Sequence, residues 1–220
     1  MLPIKDENPT TGVPVVTILL IILNGLVFIY QLTLSERDEI LFVLQFGLEP
    51  AWLLGNAPAA LPSDWVPRAW TFLTCMFLHG GFYHIAGNML YLWIFGNNIE
   101  DHLGHFRFLA FYLVGGVLAS LGHVVTNLSS EAPMIGASGA ISAVLGAYLV
   151  TFPRAAVTVW VFIRLFTVPA VFVLGIWFFM QVFKMGGPGV AWMAHVGGFV
   201  VGIVLVGFFR PRPRRPEWLH

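Results

Sequence analysis

The chain has 220 residues, 58% hydrophobic and only 10% charged, with a formal net charge of zero at neutral pH. A soluble domain carries about 25% charged residues, so this shortfall, with a mean hydropathy of +0.82, excludes an ordinary soluble domain and indicates a polytopic membrane protein. The charge balance offers no partner surface to a nucleic acid, and the single cysteine, Cys75, excludes an intrachain disulfide.

Six uncharged stretches follow one another: Val13 to Leu34, Ala69 to Ile99, Phe108 to Ser130, Ala132 to Pro153, Leu165 to Phe183 and Met185 to Phe209. A spanning helix needs about 20 mostly apolar residues, and backbone polar groups in lipid must be satisfied within the segment. The fold class expected is therefore an all-α membrane protein, one domain over 1–220, with helices near 13–34, 82–99, 106–126, 138–153, 165–183 and 190–209. Lys5, Asp6, Glu7 and Pro9 precede the first run and no small-residue cleavage site follows it, so it reads as an uncleaved helix. Pro133, Gly136 and Gly139 predict an irregular start to the fourth helix.

Lys and Arg in the connections give the topology. With a cytoplasmic N-terminus, the inner segments hold Lys5, Arg107, Arg154, Arg164, Arg210, Arg212, Arg214 and Arg215, and the outer ones only Arg37, Arg68 and Lys184. Both termini are then cytoplasmic, the second in a basic tail over 210–220. The outer connection, 35–81, carries Leu41, Phe42, Leu44, Phe46, Trp52, Leu53, Leu54, Trp65 and Trp70. Apolar and aromatic residues outside the spans predict a segment lying in the membrane interface.

Polar residues inside a span are costly and face the bundle or a cavity. Gly136-Ala137-Ser138-Gly139-Ala140-Ile141-Ser142 opens the fourth helix. Taken alone, this cluster fits close helix packing better than a nucleophile. Topology changes the balance. Helices two, four and six run in the same direction, and at 1.5 Å per residue His84, Asn88, Ser138 and His195 all fall within roughly 5–12 Å of the same membrane face. Packing serines and core histidines have no reason to share a depth. His84 and Asn88, at i and i+4, sit on one helical face. Gly139, Ser142 and Gly146 on helix four, and Ala191, His195, Gly198 and Gly202 on helix six, form small-residue stripes that permit close approach. Such packing would bring Ser138 to His195 as nucleophile and base.

Other chemistries find less support. No Asp or Glu lies at that depth in the three helices, so serine chemistry would run on a dyad. There is no His-Glu-x-x-His pattern for a zinc protease. Seven histidines, with His79 and His84 on one side and His102 and His105 on the other, are too few and scattered for a di-iron site. No metal and no cofactor are expected. A proton or metal transporter would need a continuous polar path, and the inner halves of helices two, four and six are apolar or small.

The segments His79-Gly80-Gly81-Phe82-Tyr83-His84-Ile85-Ala86-Gly87-Asn88, Gly136-Ala137-Ser138-Gly139 and Ala194-His195-Val196-Gly197-Gly198 with Gly202 resemble the rhomboid intramembrane serine protease family. So does Gly96-x3-Glu100-x3-Gly104-x2-Arg107-Phe108. The resemblance implies a six-helix rhomboid-like bundle with an interfacial outer loop between helices one and two. It implies Ser138 as nucleophile, His195 as general base, and His84, Asn88 and the Ser138 N–H as the oxyanion hole. His79 would tie down the outer connection, Glu100 and Arg107 would organise the cytoplasmic ends, and Gly136, Gly139, Gly198 and Gly202 would support the site. Partners would be transmembrane protein substrates, cut near their outer ends within the lipid bilayer. A non-catalytic scaffold that binds transmembrane segments is the alternative.

The chain departs from the family at two places. Some members carry a tyrosine four residues after the nucleophile, supporting the histidine, where this chain has Ser142. Members often have Trp-Arg in the outer connection, where this chain has Trp70-Thr71, with Arg68 before them. Phe166, Phe172, Trp177, Phe178, Phe179 and Phe183 on helix five read mainly as lipid-facing bulk. The resemblance makes helix five a lateral gate, with Gly186, Gly187, Pro188 and Gly189 as a mobile connection. The short N-terminal segment points to a prokaryotic plasma membrane.

Overall fold

A computed structural model describes residues 2–53, 66–185 and 189–209. Leu54, Trp65, Gly186, Gly187, Pro188 and the arginines of the tail, named above, lie outside the described residues. In chain order the elements are strand β1 (Leu2–Asp6), helix α1 (Val15–Thr33), α2 (Glu36–Phe46) and the short α3 (Pro50–Leu53) and α4 (Thr71–Thr74). Then come α5 (Phe82–Tyr91), a π-helical turn (Leu92–Gly96), α6 (Asn97–Leu103), α7 (His105–Thr126) and α8 (Ser138–Thr151). Strands β2 (Ala156–Val161) and β3 (Arg164–Pro169) precede α9 (Ala170–Val182) and α10 (Trp192–Phe209).

The structure is mostly helical. Among the described residues, α1, α7 and α10 are each long and apolar enough to cross a membrane, and α8 and α9 are shorter apolar helices. From Phe82 to Leu103 the chain stays helical through the π turn. Helix α1 starts at Pro14 without a cap of its own. Glu100 supplies one, accepting hydrogen bonds from the N–H groups of Val16 at 2.8 Å and Thr17 at 2.7 Å and from the Thr17 hydroxyl at 2.7 Å. A carboxylate there satisfies orphan donors and opposes the positive end of the helix dipole. Helix α2 is capped locally, with Ser35 Oγ accepting from Asp38 N–H at 3.2 Å.

The all-α expectation needs correcting. β1, β2 and β3 form a three-stranded antiparallel sheet in that order, and the helix expected from residue 165 begins at Ala170. Residues 156–169 are rich in Val, Thr and aromatic residues, which favour a pleated surface. Phe162 and Ile163 make the turn, with Phe162 at a φ of 54°. Val157 and Val159 face the core, and Trp160 and Leu165, paired on the opposite face, are exposed. The sheet lies between the end of α8 and the start of α9, opposite the Ser138 end. An open sheet edge is not tolerated in hydrocarbon, which accounts for its place outside the helical core.

Helix α8 is the buried axis. Every residue from Gly139 to Tyr148 is buried, between α7 and α10. At Gly146 an added Cβ would overlap the Phe199 carbonyl, and at Gly198 and Gly202 it would overlap the carbonyls of Gly139 and Ala143. The two backbones are thus in direct contact. Gly139 faces Ala119 of α7, where an added Cβ would lie 3.0 Å from that methyl. Backbone approach of this kind lets short helices pack without large side chains between them.

Candidate active site

The α8–α10 contact sets the distance between two side chains. Ser138 is the first residue of α8, and His195 lies in the first turn of α10. Their reactive atoms, Ser138 Oγ and His195 Nε2, are 2.7 Å apart. The other ring nitrogen, His195 Nδ1, lies 2.7 Å from Gln181 Oε1 on α9. Ser142 makes no hydrogen bond to the ring. Its hydroxyl donates to the Ser138 carbonyl at 2.6 Å. His195 is flanked by the Trp177 ring at 6.0 Å and the Trp192 ring at 6.3 Å, centroid to centroid.

Two further donors face the same spot. Gly80 N–H donates to His84 Nδ1 at 3.3 Å, so the neutral ring carries its proton on Nε2. That nitrogen points at Gly136, where an added Cβ would lie 2.7 Å from it and 3.6 Å from Asn88 Nδ2. Gly136 has a φ of +117°, which disfavours a side chain for conformational reasons as well. Its N–H donates to the Cys75 carbonyl at 2.8 Å, tying the loop before Ser138 to the outer connection. Asn88 Nδ2 is buried without a hydrogen-bond partner among the described residues. Helix α8 has no side-chain cap at its start, so its first N–H groups are open to a ligand.

These groups line a cavity of about 700 Å³ that descends from Ser138 past Ile141 to Leu145, with Asn88, Tyr91 and Trp177 on its other walls. Among the described residues, no group of three or more His, Cys, Asp or Glu side chains could hold a metal ion.

The remaining candidates are spread more widely. His79 is buried and packs its ring edge-on to His84 at 5.0 Å. Its main chain holds the connection, donating from N–H to Gln31 Oε1 at 3.0 Å and accepting from Gln31 Nε2 at 3.2 Å. Glu100 is at the far end of the molecule, where His105 Nδ1 lies 2.5 Å from its Oε1, while Arg107 is exposed. The Arg68 guanidinium sits 4.6 Å above the Trp52 ring. Of the aromatic residues expected to face lipid, Trp177 and Phe178 turn inward and stack on Phe199 at 5.9 and 4.7 Å, and Phe166 belongs to β3. Phe172, Phe179 and Phe183 are exposed. Gln181 was absent from the expected set. It is the sole amide or charged residue of α9, and that isolation within an apolar helix was the available signal.

A family model described as the Rhomboid domain matches residues 66–212. The chain belongs to the rhomboid family. This rhomboid is 33% identical over 151 residues to RHOMBOID-like protein 5 of Arabidopsis thaliana, covering 66% of this chain and 45% of the plant protein. It is 32% identical over 182 residues to the mitochondrial Rhomboid protein 1 of Saccharomyces cerevisiae, covering 76% of this chain and 50% of the yeast protein. With the mitochondrial presenilin-associated rhomboid-like protein of Homo sapiens it shares 33% identity over 140 residues, 62% of this chain and 37% of the human one. The rhomboid thus spans half or less of the length of these relatives. Family membership and the apolar helices identify a membrane protein.

Proposed function

We propose that this rhomboid is an intramembrane serine endopeptidase that cuts transmembrane segments of other proteins near their outer ends. The observation that carries the reading is the 2.7 Å contact between Ser138 Oγ and His195 Nε2, made in a cavity where Asn88 Nδ2 is buried and unpaired. Ser138 gives its proton to His195 Nε2 as Oγ attacks the scissile carbonyl carbon. The oxyanion forms among His84 Nε2–H, Asn88 Nδ2–H and the Ser138 N–H, donors that contribute about 3–4 kcal/mol each in such sites. The His195 imidazolium then protonates the departing amine, and water, deprotonated by His195, releases the acyl group from Ser138.

The bilayer reading places six crossings in α1, α5 with α6, α7, α8, α9 and α10, with 35–81 in the outer interface and both termini cytoplasmic. Lys5, Arg154 and Arg164 all lie at the end opposite Ser138, consistent with the excess of Lys and Arg on the cytoplasmic side. Helix α8 supports a recessed site. Its 14 residues span about 21 Å, short of the roughly 30 Å of a hydrocarbon core. Ser138 then lies below the outer face, and the cavity brings water down to it.

The test uses purified protein in liposomes with a single-span substrate carrying small residues near its outer end. Cleavage is expected from the native protein, and Ser138→Ala lowers it by about 10⁴-fold or more. Equal cleavage by both would falsify the reading, and absence of both cleavage and Ser138 labelling by a fluorophosphonate would favour a scaffold.

A further inference from the structure

We propose that Gln181 is the positioning residue of His195, holding the imidazole in the tautomer that a base requires and making that state depend on α9. The proposal rests on the protease reading for the role of His195 but on its own geometry for the role of Gln181.

A neutral imidazole has one protonated nitrogen, and only the other can accept the proton of Ser138. Which nitrogen is protonated is set by what faces it. Gln181 Oε1 faces Nδ1 at 2.7 Å, and Ser138 Oγ faces Nε2 at 2.7 Å. The orientation of the amide is itself determined by a neighbour, since Gln181 Nε2 donates to the Trp177 carbonyl one turn earlier at 3.4 Å. With its NH2 engaged there, the amide presents an oxygen, not a hydrogen, to the ring. Nδ1 therefore carries the proton, and the lone pair of Nε2 is left for Ser138.

Alternative supports for the ring are otherwise committed. Ser142 bonds the Ser138 carbonyl, and Trp177 and Trp192 contribute ring faces or edges with no acceptor for Nδ1. Gln181 is buried to 8% exposure on a helix that is otherwise apolar, an arrangement that is costly in a membrane unless the amide is paired. It also lines the cavity, so it belongs to the helix that forms one wall of the substrate space. A chain of hydrogen bonds thus crosses three helices: Gln181 on α9, His195 on α10 and Ser138 on α8. The base is correctly protonated only while α9 lies against α10.

The test is the 15N spectrum of histidine-labelled protein in lipid bilayers, with the His195 signals assigned by their loss in His195→Ala. The native protein is expected to show Nδ1 protonated and Nε2 unprotonated at His195. An Nε2–H tautomer in the native protein overturns the proposal without any variant, and whether or not the protein cleaves anything. Gln181→Leu and Gln181→Met remove the acceptor. Either is expected to populate the other tautomer and to lower kcat by about 10- to 100-fold with KM little changed. Gln181→Glu keeps an acceptor and is expected to restore Nδ1–H and most of kcat. A rise in KM at constant kcat, with the native tautomer retained in Gln181→Leu and Gln181→Met, would assign Gln181 to substrate packing and sink the proposal. An unreactive Ser138 in a native protein with the expected tautomer would instead count against the protease reading alone.

Discussion

At the Ser138 end of the molecule, Asn88 Nδ2 is buried without a partner and His84 Nε2 points at Gly136 beside the cavity. At the opposite end, the Glu100 carboxylate receives the N–H groups of Val16 and Thr17, the Thr17 hydroxyl and a contact from His105 Nδ1. Two more acidic groups there are also paired: Asp6 accepts from the Tyr148 hydroxyl at 2.6 Å, and Asp101 from the Thr11 hydroxyl at 2.7 Å. Both ends bury polar groups in a largely apolar bundle, yet at one end these carboxylates are paired, and at the other donors beside the cavity are left open. An unpaired buried donor costs stability. At a site it is useful, because a developing oxyanion finds its donors already oriented. The difference separates polar groups that hold the bundle together from those proposed to act on a substrate.

Two substitutions set this difference against itself. Glu100→Ala leaves the first donors of α1 and the Thr17 hydroxyl without their acceptor, and is expected to cost about 3 kcal/mol or more of stability. The readout is the unfolding midpoint in detergent, with Ser138 labelling per folded molecule close to native. Lost labelling at unchanged stability would erase the distinction between the two ends. Asn88→Ala is expected to do the reverse. It lowers kcat/KM by about 100-fold, close to 2.7 kcal/mol in the transition state. It leaves the unfolding midpoint unchanged or slightly higher, since no formed hydrogen bond is lost and a buried unpaired amide group is removed. A large drop in stability together with activity would make Asn88 a structural residue.

How much could be read beforehand follows from the same physics. Ser138, His195, His84 and Asn88 stand out because polar residues are rare in apolar helices, and depth counting groups them without knowledge of the packing. The Gly146–Phe199 and Gly202–Ala143 contacts were foreshadowed by the small-residue stripes. Gln181 carries the same signal of a lone polar residue in an apolar helix. The grouping by depth does not reach it, because Gln181 is an amide and not a carboxylate and α9 runs against the shared direction of the helices that carry His84, Ser138 and His195. The sheet was illegible for a different reason. Lack of charge marks a run as apolar but does not distinguish a period of 2 from one of 3.6. Residues 165–169 therefore joined the run that becomes α9. The pairing of β1 with β2 joins residues some 150 positions apart, Leu2 with Trp160 and Asp6 with Val157, and no local pattern announces such a contact.

Glu49 sharpens the comparison at its weakest point, because it is buried and unpaired yet borders no part of the large cavity. Both its carboxyl oxygens lack a hydrogen-bond partner among the described residues. The residue is fastened through its neighbours, with Leu48 bridging Met134 and Ala51 N–H donating to the Ser130 carbonyl at 3.1 Å. Burial pushes the Glu49 carboxyl up to about 7, with nearby Arg68 opposing and Glu131 adding to the shift. Because the folded-state value lies above the unfolded one, the neutral acid is what folding stabilises. That contribution is complete below the ordinary carboxylate range and is lost as pH rises through about 7. The unfolding midpoint of the native protein is therefore expected to fall between pH 5 and pH 8. Burial also raises Asp6, which adds a slope of the same sign. Glu49→Gln, neutral at every pH, should flatten the curve without abolishing it and should leave labelling of Ser138 unchanged at pH 5. An unaltered slope in Glu49→Gln would mean that Glu49 is ionised in the folded protein at neutral pH. A change in labelling at pH 5 would mean that unpaired polar groups matter to the site even away from its cavity.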